Sequence, residues 1–132
     1  MEDFSKRIID GNGIIPPEKC LKVFMDNFPD ALNIDWFNKG DLIEAVFYKE
    51  QIEYIADFSR EGSLIEYKMF LPLDYLPGPI RAELTGTGEI MNVVLINNGS
   101  SIKYECIIRD LLFNRTLFLI TGLGRVIEER NL

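Results

Sequence analysis

A chain of 132 residues with 47% hydrophobic and 27% charged residues can bury a core of its own as one ordinary domain, and it is too apolar to remain disordered. Its formal charge of -7 and pI near 4.6 weigh against nucleic acid and anionic lipid as partners, because binding to both rests on clustered Lys and Arg. Histidine is absent, so the usual metal ligands and any Ser/His/Asp triad are missing, and no cofactor is expected.

Met1 to Gly13 carry Glu2, Asp3, Lys6, Arg7 and Asp10, with no apolar core of a leader peptide. Nothing downstream reaches the ~18 apolar residues of a membrane span. As written, the chain reads as one that is not exported and inserts into no membrane, which places it in the cytoplasm if Met1 is the native start. Cys20 and Cys106 form no CxxC pair and read as buried thiols, although whether they pair is open at this level.

The first element is a helix of about three turns. Ile15-Pro16-Pro17-Glu18 opens it, Leu21, Phe24, Met25 and Phe28 recur at helical spacing, and Pro29 stops it. Four strands follow, over 33–37, 42–48, 52–58 and 64–70, separated by Asn38-Lys39-Gly40-Asp41, Lys49-Glu50 and Ser59-Arg60-Glu61-Gly62. The order then starts again. Leu76, Ile80 and Leu84 form a shorter stripe after Leu76-Pro77-Gly78-Pro79, Gly86 ends it, and strands are expected over 89–96, 102–108, 116–120 and 125–129. Phe58 to Glu66 aligns with Ile120 to Glu128, bringing Gly62 onto Gly124 where a hairpin needs positive φ. Asn98-Gly99 is the strongest hairpin signal in the chain and falls near the place of Lys39-Gly40. The expected fold is α+β: one domain over 1–132 made of two tandem helix-plus-antiparallel-strands repeats, about 14–71 and 75–132, forming one sheet with helices on one face.

Phe28-Pro29-Asp30-Ala31, then Asn33-Ile34-Asp35-Trp36, Glu44-Ala45-Val46-Phe47 and Asp57-Phe58 with Gly62 resemble the motifs of the PepSY-like proteins, which share the fold of the β-lactamase inhibitor protein. The second half departs from the pattern: Leu84 to Glu89 replaces the aromatic-Pro step and Asn98 takes roughly the Trp place. The resemblance implies an exported protein of the bacterial periplasm or cell envelope, without enzymatic activity, in a fold that elsewhere binds and inhibits an enzyme through its sheet face.

Candidate chemistry is sparse. Strand alternation puts Glu53 and Asp57 on one face of the third strand, where paired carboxylates can split their pKa values; with no partner base or nucleophile beside them, a solvated strand face explains them better. Ser59, Ser63, Ser100 and Ser101 fall in turns, the glycine pairs around Thr87 and Leu123 open no phosphate loop, and the Asn98 and Asn114 sequons read as coincidence in a bacterial-looking chain. More telling is the apolar content of both strand faces. Ala45, Phe47, Tyr54, Ala56 and Phe58 suit a helix-covered side, yet Val46, Tyr48, Ile55, Ile65, Tyr67 and Met69 fall opposite, where a solvated face alternates more cleanly. Trp36 shares its face with Ile34 and Leu32 and reads as core. The candidate partner-binding face is Tyr48, Ile55, Tyr67 and Met69 with Glu53 and Asp57, its occupant another protein, a second copy, or the N-terminal arm. The expectation is a non-enzymatic protein-binding or inhibitor-like module; the alternatives are a homo-oligomerising structural domain and, remotely, a small carboxylate-dependent enzyme.

Overall fold

A computed structural model describes residues 13–84 and 86–132. The readings that fall on Met1 to Asn12, on a leader peptide and on an N-terminal arm over the sheet, lie outside the described residues. Eight strands, β1 (Leu32–Lys39), β2 (Leu42–Lys49), β3 (Ile52–Ser59), β4 (Leu64–Leu71), β5 (Glu89–Asn97), β6 (Ile102–Arg109), β7 (Arg115–Thr121) and β8 (Val126–Asn131), accompany the helices α1 (Glu18–Asn27) and α2 (Gly78–Leu84) and a 3-10 turn at Leu73–Tyr75. The strands lie in an antiparallel sheet in sequence order, without a crossover. The α+β class and the strand boundaries agree with the sequence to within two residues. The chain divides into two compact units between Tyr67 and Lys68, inside β4.

In the first unit, Pro17 precedes α1 in an extended conformation and its carbonyl accepts the Leu21 N–H at 3.0 Å. The helix ends where the Phe28 N–H reaches Phe24 O at 2.8 Å and Pro29 can no longer continue the ladder. Its buried stripe is Cys20, Phe24 and Phe28, spaced by four so that they stack on one side. Leu21 and Met25, expected in that stripe, sit on its exposed flank. The Phe24 ring stands edge-on to Phe47 at 4.9 Å and to Trp36 at 5.1 Å. The row Trp36↔Ala45↔Ala56 explains how one layer holds two such rings: two methyl side chains leave the depth that the indole and Phe24 fill. Burying Phe24 alone is worth roughly 1.5–3 kcal/mol.

A bulge in β1 changes one assignment. Asp35 pairs with Val46 but Leu32 pairs with Tyr48, and Asn33 turns through φ 53 between them. The extra residue moves Leu32 off the Trp36 face, and it is exposed. The β3–β4 turn needs its glycine: Gly62 has φ 96, and a Cβ there would lie 2.9 Å from Lys19 Cβ and 3.0 Å from the Lys19 carbonyl.

In the second unit Leu76, Ile80 and Leu84 cover Val93, Tyr104, Cys106, Ile108, Phe118 and Ile120, the stripe the sequence predicts. The helix closes with the Thr87 hydroxyl on Leu84 O at 2.6 Å and Gly86 at φ 92. At the β5–β6 turn the Asn98 side chain accepts the Ser100 and Ser101 N–H groups at 3.1 and 2.9 Å, with Gly99 at φ 93. Cys20 and Cys106 are both free and buried; burial raises both thiol pKa values, that of Cys106 to about 11.

Candidate functional site

Helix α1 takes one face of the first unit's strands, and register defines the other. Glu44 lies opposite Asp57, Val46 opposite Ile55 and Tyr48 opposite Glu53, while β1 adds Asp35 against Val46 and Phe37 against Glu44. Phe37, Val46 and Ile55 are half-buried and Tyr48 is exposed, so an apolar band crosses three strands between the carboxylates of Asp35, Glu44, Glu53 and Asp57. Cross-strand Cβ atoms sit about 5 Å apart, close enough that like charges such as Glu44 and Asp57 disfavour one another. Lys39 Nζ lies 3.8 Å from Glu44, and the Tyr48 hydroxyl donates to Glu53 Oε2 at 3.3 Å. A shallow depression beside the band is lined by Phe37, Asn38, Lys39 and Glu44. Among the described residues, no three His, Cys, Asp or Glu side chains are grouped to hold a metal ion.

Four of the six candidate residues, Tyr48, Glu53, Ile55 and Asp57, are thus brought together on this face. Tyr67 is not. Its ring lies 5.6 Å from Phe28, nearly perpendicular, and 6.1 Å from Tyr54, which puts it on the helix-covered side. Alternation counted from Leu64 points it the other way. The β7–β8 hairpin of the second unit shows how such a count slips: Ile120 pairs with Val126 but Leu119 with Glu128, a one-residue shift just past the turn. Met69 belongs to the second unit.

A second surface has no counterpart among the sequence candidates. Between β6 and β7 the loop 110–114 is braced from within: Asp110 Oδ1 accepts the Leu112 and Asn114 N–H groups at 2.8 and 2.9 Å, and the Asp110 N–H and carbonyl bond to Asn114 O and the Phe113 N–H, each at 3.0 Å. The bonds donated to its carboxylate lower the Asp110 pKa, that from the Asn114 N–H most. The braced loop holds Leu111, Leu112 and Phe113 outward, at 98%, 79% and 73% exposure. Three adjacent apolar residues after a strand read as more strand; the signal that marks them as a tip is the Asp110/Asn114 pair around them.

No family model and no curated protein sequence matches the chain. Solved structures do. A DUF2874 family protein from Bacteroides ovatus superposes with a TM-score of 0.82 at 17% identity, covering 90% of this chain and 89% of its own. A BLIP-like protein from Bacteroides fragilis gives 0.82 at 14% identity over 94% and 92%. The chain has the BLIP-like fold. A candidate periplasmic protein from Bacteroides eggerthii is similar as well, with a TM-score of 0.81 at 15% identity over 89% and 90%. In this BLIP-like chain no helix among the described residues is long and apolar enough to cross a membrane.

Proposed function

We propose that the chain is a non-enzymatic protein-binding module of the PepSY-like kind, which uses the helix-free face of its first unit. The observation that carries this reading is the band of Phe37, Val46, Ile55 and Tyr48 crossing three strands between carboxylates. A face meant only for water has no use for aligned apolar side chains, and such patches commonly mark interaction sites. The register of β1 with β2 supports adding Phe37 and Val46 to this face, and the ring contacts of Tyr67 argue for leaving it out.

The internal duplication belongs to the same proposal. In both units a hydroxyl residue closes the last hairpin: Ser59 N–H donates to Ser63 O with its Oγ accepting the Ser63 N–H, and Thr121 N–H donates to Arg125 O with its Oγ1 accepting the Arg125 N–H. Both turns then use a glycine, Gly62 at φ 96 and Gly124 at φ 95. A periplasmic or envelope location is in keeping with the Bacteroides eggerthii protein of this fold, which is described as periplasmic.

The test is a Val46→Arg/Ile55→Arg variant, carried alongside the unaltered chain through light scattering over a dilution series and through binding to any partner isolated on the unaltered chain. Loss of that partner with an unchanged monomer mass and melting temperature supports the reading. A stable dimer of the unaltered chain that the variant dissolves would replace it with self-association.

A further inference from the structure

Three features that each cost folding free energy coincide on the β6–β7 hairpin of the second unit. Leu111, Leu112 and Phe113 project into water, Phe113 holds φ 66 without a glycine's freedom, and Arg109 lies directly opposite Arg115. Exposed apolar runs forgo burial, a left-handed phenylalanine is strained, and like charges across a ladder repel. Such local conflicts gather where function demands them.

The loop is nonetheless stiff. Asp110 satisfies the N–H groups of Leu112, Phe113 and Asn114 from inside, and the Arg109 guanidinium lies 5.3 Å over the Phe113 ring. A tip fixed before it meets anything loses little entropy on docking.

We infer that Leu111-Leu112-Phe113 is a second protein-docking point that seats in a concave apolar pocket of a partner protein rimmed by carboxylates. The tip is convex, so its complement is a pocket. Its base is cationic: Arg109, Arg115 and Arg130, the last paired with Leu117, share one strand face. Glu89 offsets one of them, 2.9 Å from Arg109, the ionised Asp110 offsets a second, and Glu105 and Glu128 flank Leu119 one pair further along the same face, so a small net positive charge remains beside the tip itself. A protein fits better than a bilayer, because one three-residue tip is a small anchor and the chain's charge of -7 is repelled by anionic lipid. The inference does not rest on the sheet face of the first unit.

The experiment places a photo-crosslinking phenylalanine analogue at position 113 and, as control, at Leu123, which is even more exposed, in the β7–β8 turn. In cells of the native host, position 113 should capture a protein that position 123 does not. With that protein purified, Leu112→Ser should weaken binding by about thirtyfold or more. Arg115→Glu should weaken it and flatten its salt dependence, both variants keeping the melting temperature. The inference is overturned by crosslinks to lipid alone, by flotation with phosphatidylcholine vesicles that Leu112→Ser abolishes, or by a captured protein whose affinity ignores Leu112→Ser. Val46→Arg should leave the position-113 crosslink in place, so this surface stands or falls apart from the other.

Discussion

The ring of Tyr67 packs 5.6 Å from that of Phe28, almost perpendicular to it, and this contact decides which side of β4 belongs to the core. Tyr67→Ala should therefore destabilise the chain by about 2–4 kcal/mol in urea unfolding, whereas Tyr48→Ala, at an exposed position, should stay within ~0.5 kcal/mol. Equal effects would contradict the assignment.

Turn backbones offer a gain. Glu50 and Gln51, at φ 51 and 69, form the β2–β3 turn in a conformation that asparagine and glycine take more easily. Glu50→Asn with Gln51→Gly should stabilise by about 1–2 kcal/mol, seen as a higher melting temperature.

Gly62 should be far less forgiving than Gly40. Both have positive φ, but only Gly62 faces the Lys19 backbone, while a Cβ at Gly40 would meet nothing within 4 Å. Gly40→Ala should cost about 1 kcal/mol and Gly62→Ala at least twice that, measured by thermal melts of the two variants side by side.

Protonation should slacken the docking tip. The folded pKa of Asp110 is depressed by its loop hydrogen bonds, so its contribution is present above the ordinary aspartate pKa and is lost as pH falls through the lower folded value. The Leu112 and Asn114 amide resonances should titrate together with the Asp110 carboxyl in NMR. Asp110→Asn should shift both amides already at neutral pH; amides that ignore the titration would disprove the brace.

Both thiols should resist alkylation at neutral pH in the native state and react together on unfolding without reductant, since burial removes access and disfavours the thiolate. Mass spectrometry of iodoacetamide-treated protein reads the difference directly.

Most of the architecture was legible because it is written in local chemistry. Pro16-Pro17 and Pro29 bracket one helix, Gly62 and Gly124 sit where φ is positive, and Asn98-Gly99 makes the turn it advertises. Burial follows parity well through β2 and β3, where Ile43, Ala45 and Phe47 face Phe58, Ala56 and Tyr54. The candidate face was only partly legible, since parity survives no bulge. Asn33 displaces Leu32, and Tyr67 in β4 turns to the core side. A bulge at asparagine leaves little trace in composition. The Leu111–Phe113 tip was hidden for a different reason: apolar residues next to a strand look like strand until the side chain that folds the loop around itself is seen.

Every strand pair with a defined register, from β1 with β2 to β7 with β8, joins neighbours along the chain. Each ladder can therefore nucleate at its own turn and zip outward, with a small loop to close and no distant segment to wait for. Refolding should be quick for a chain so rich in β-structure, and rate-limited by hairpin turns such as the left-handed Glu50-Gln51 pair more than by any long-range search.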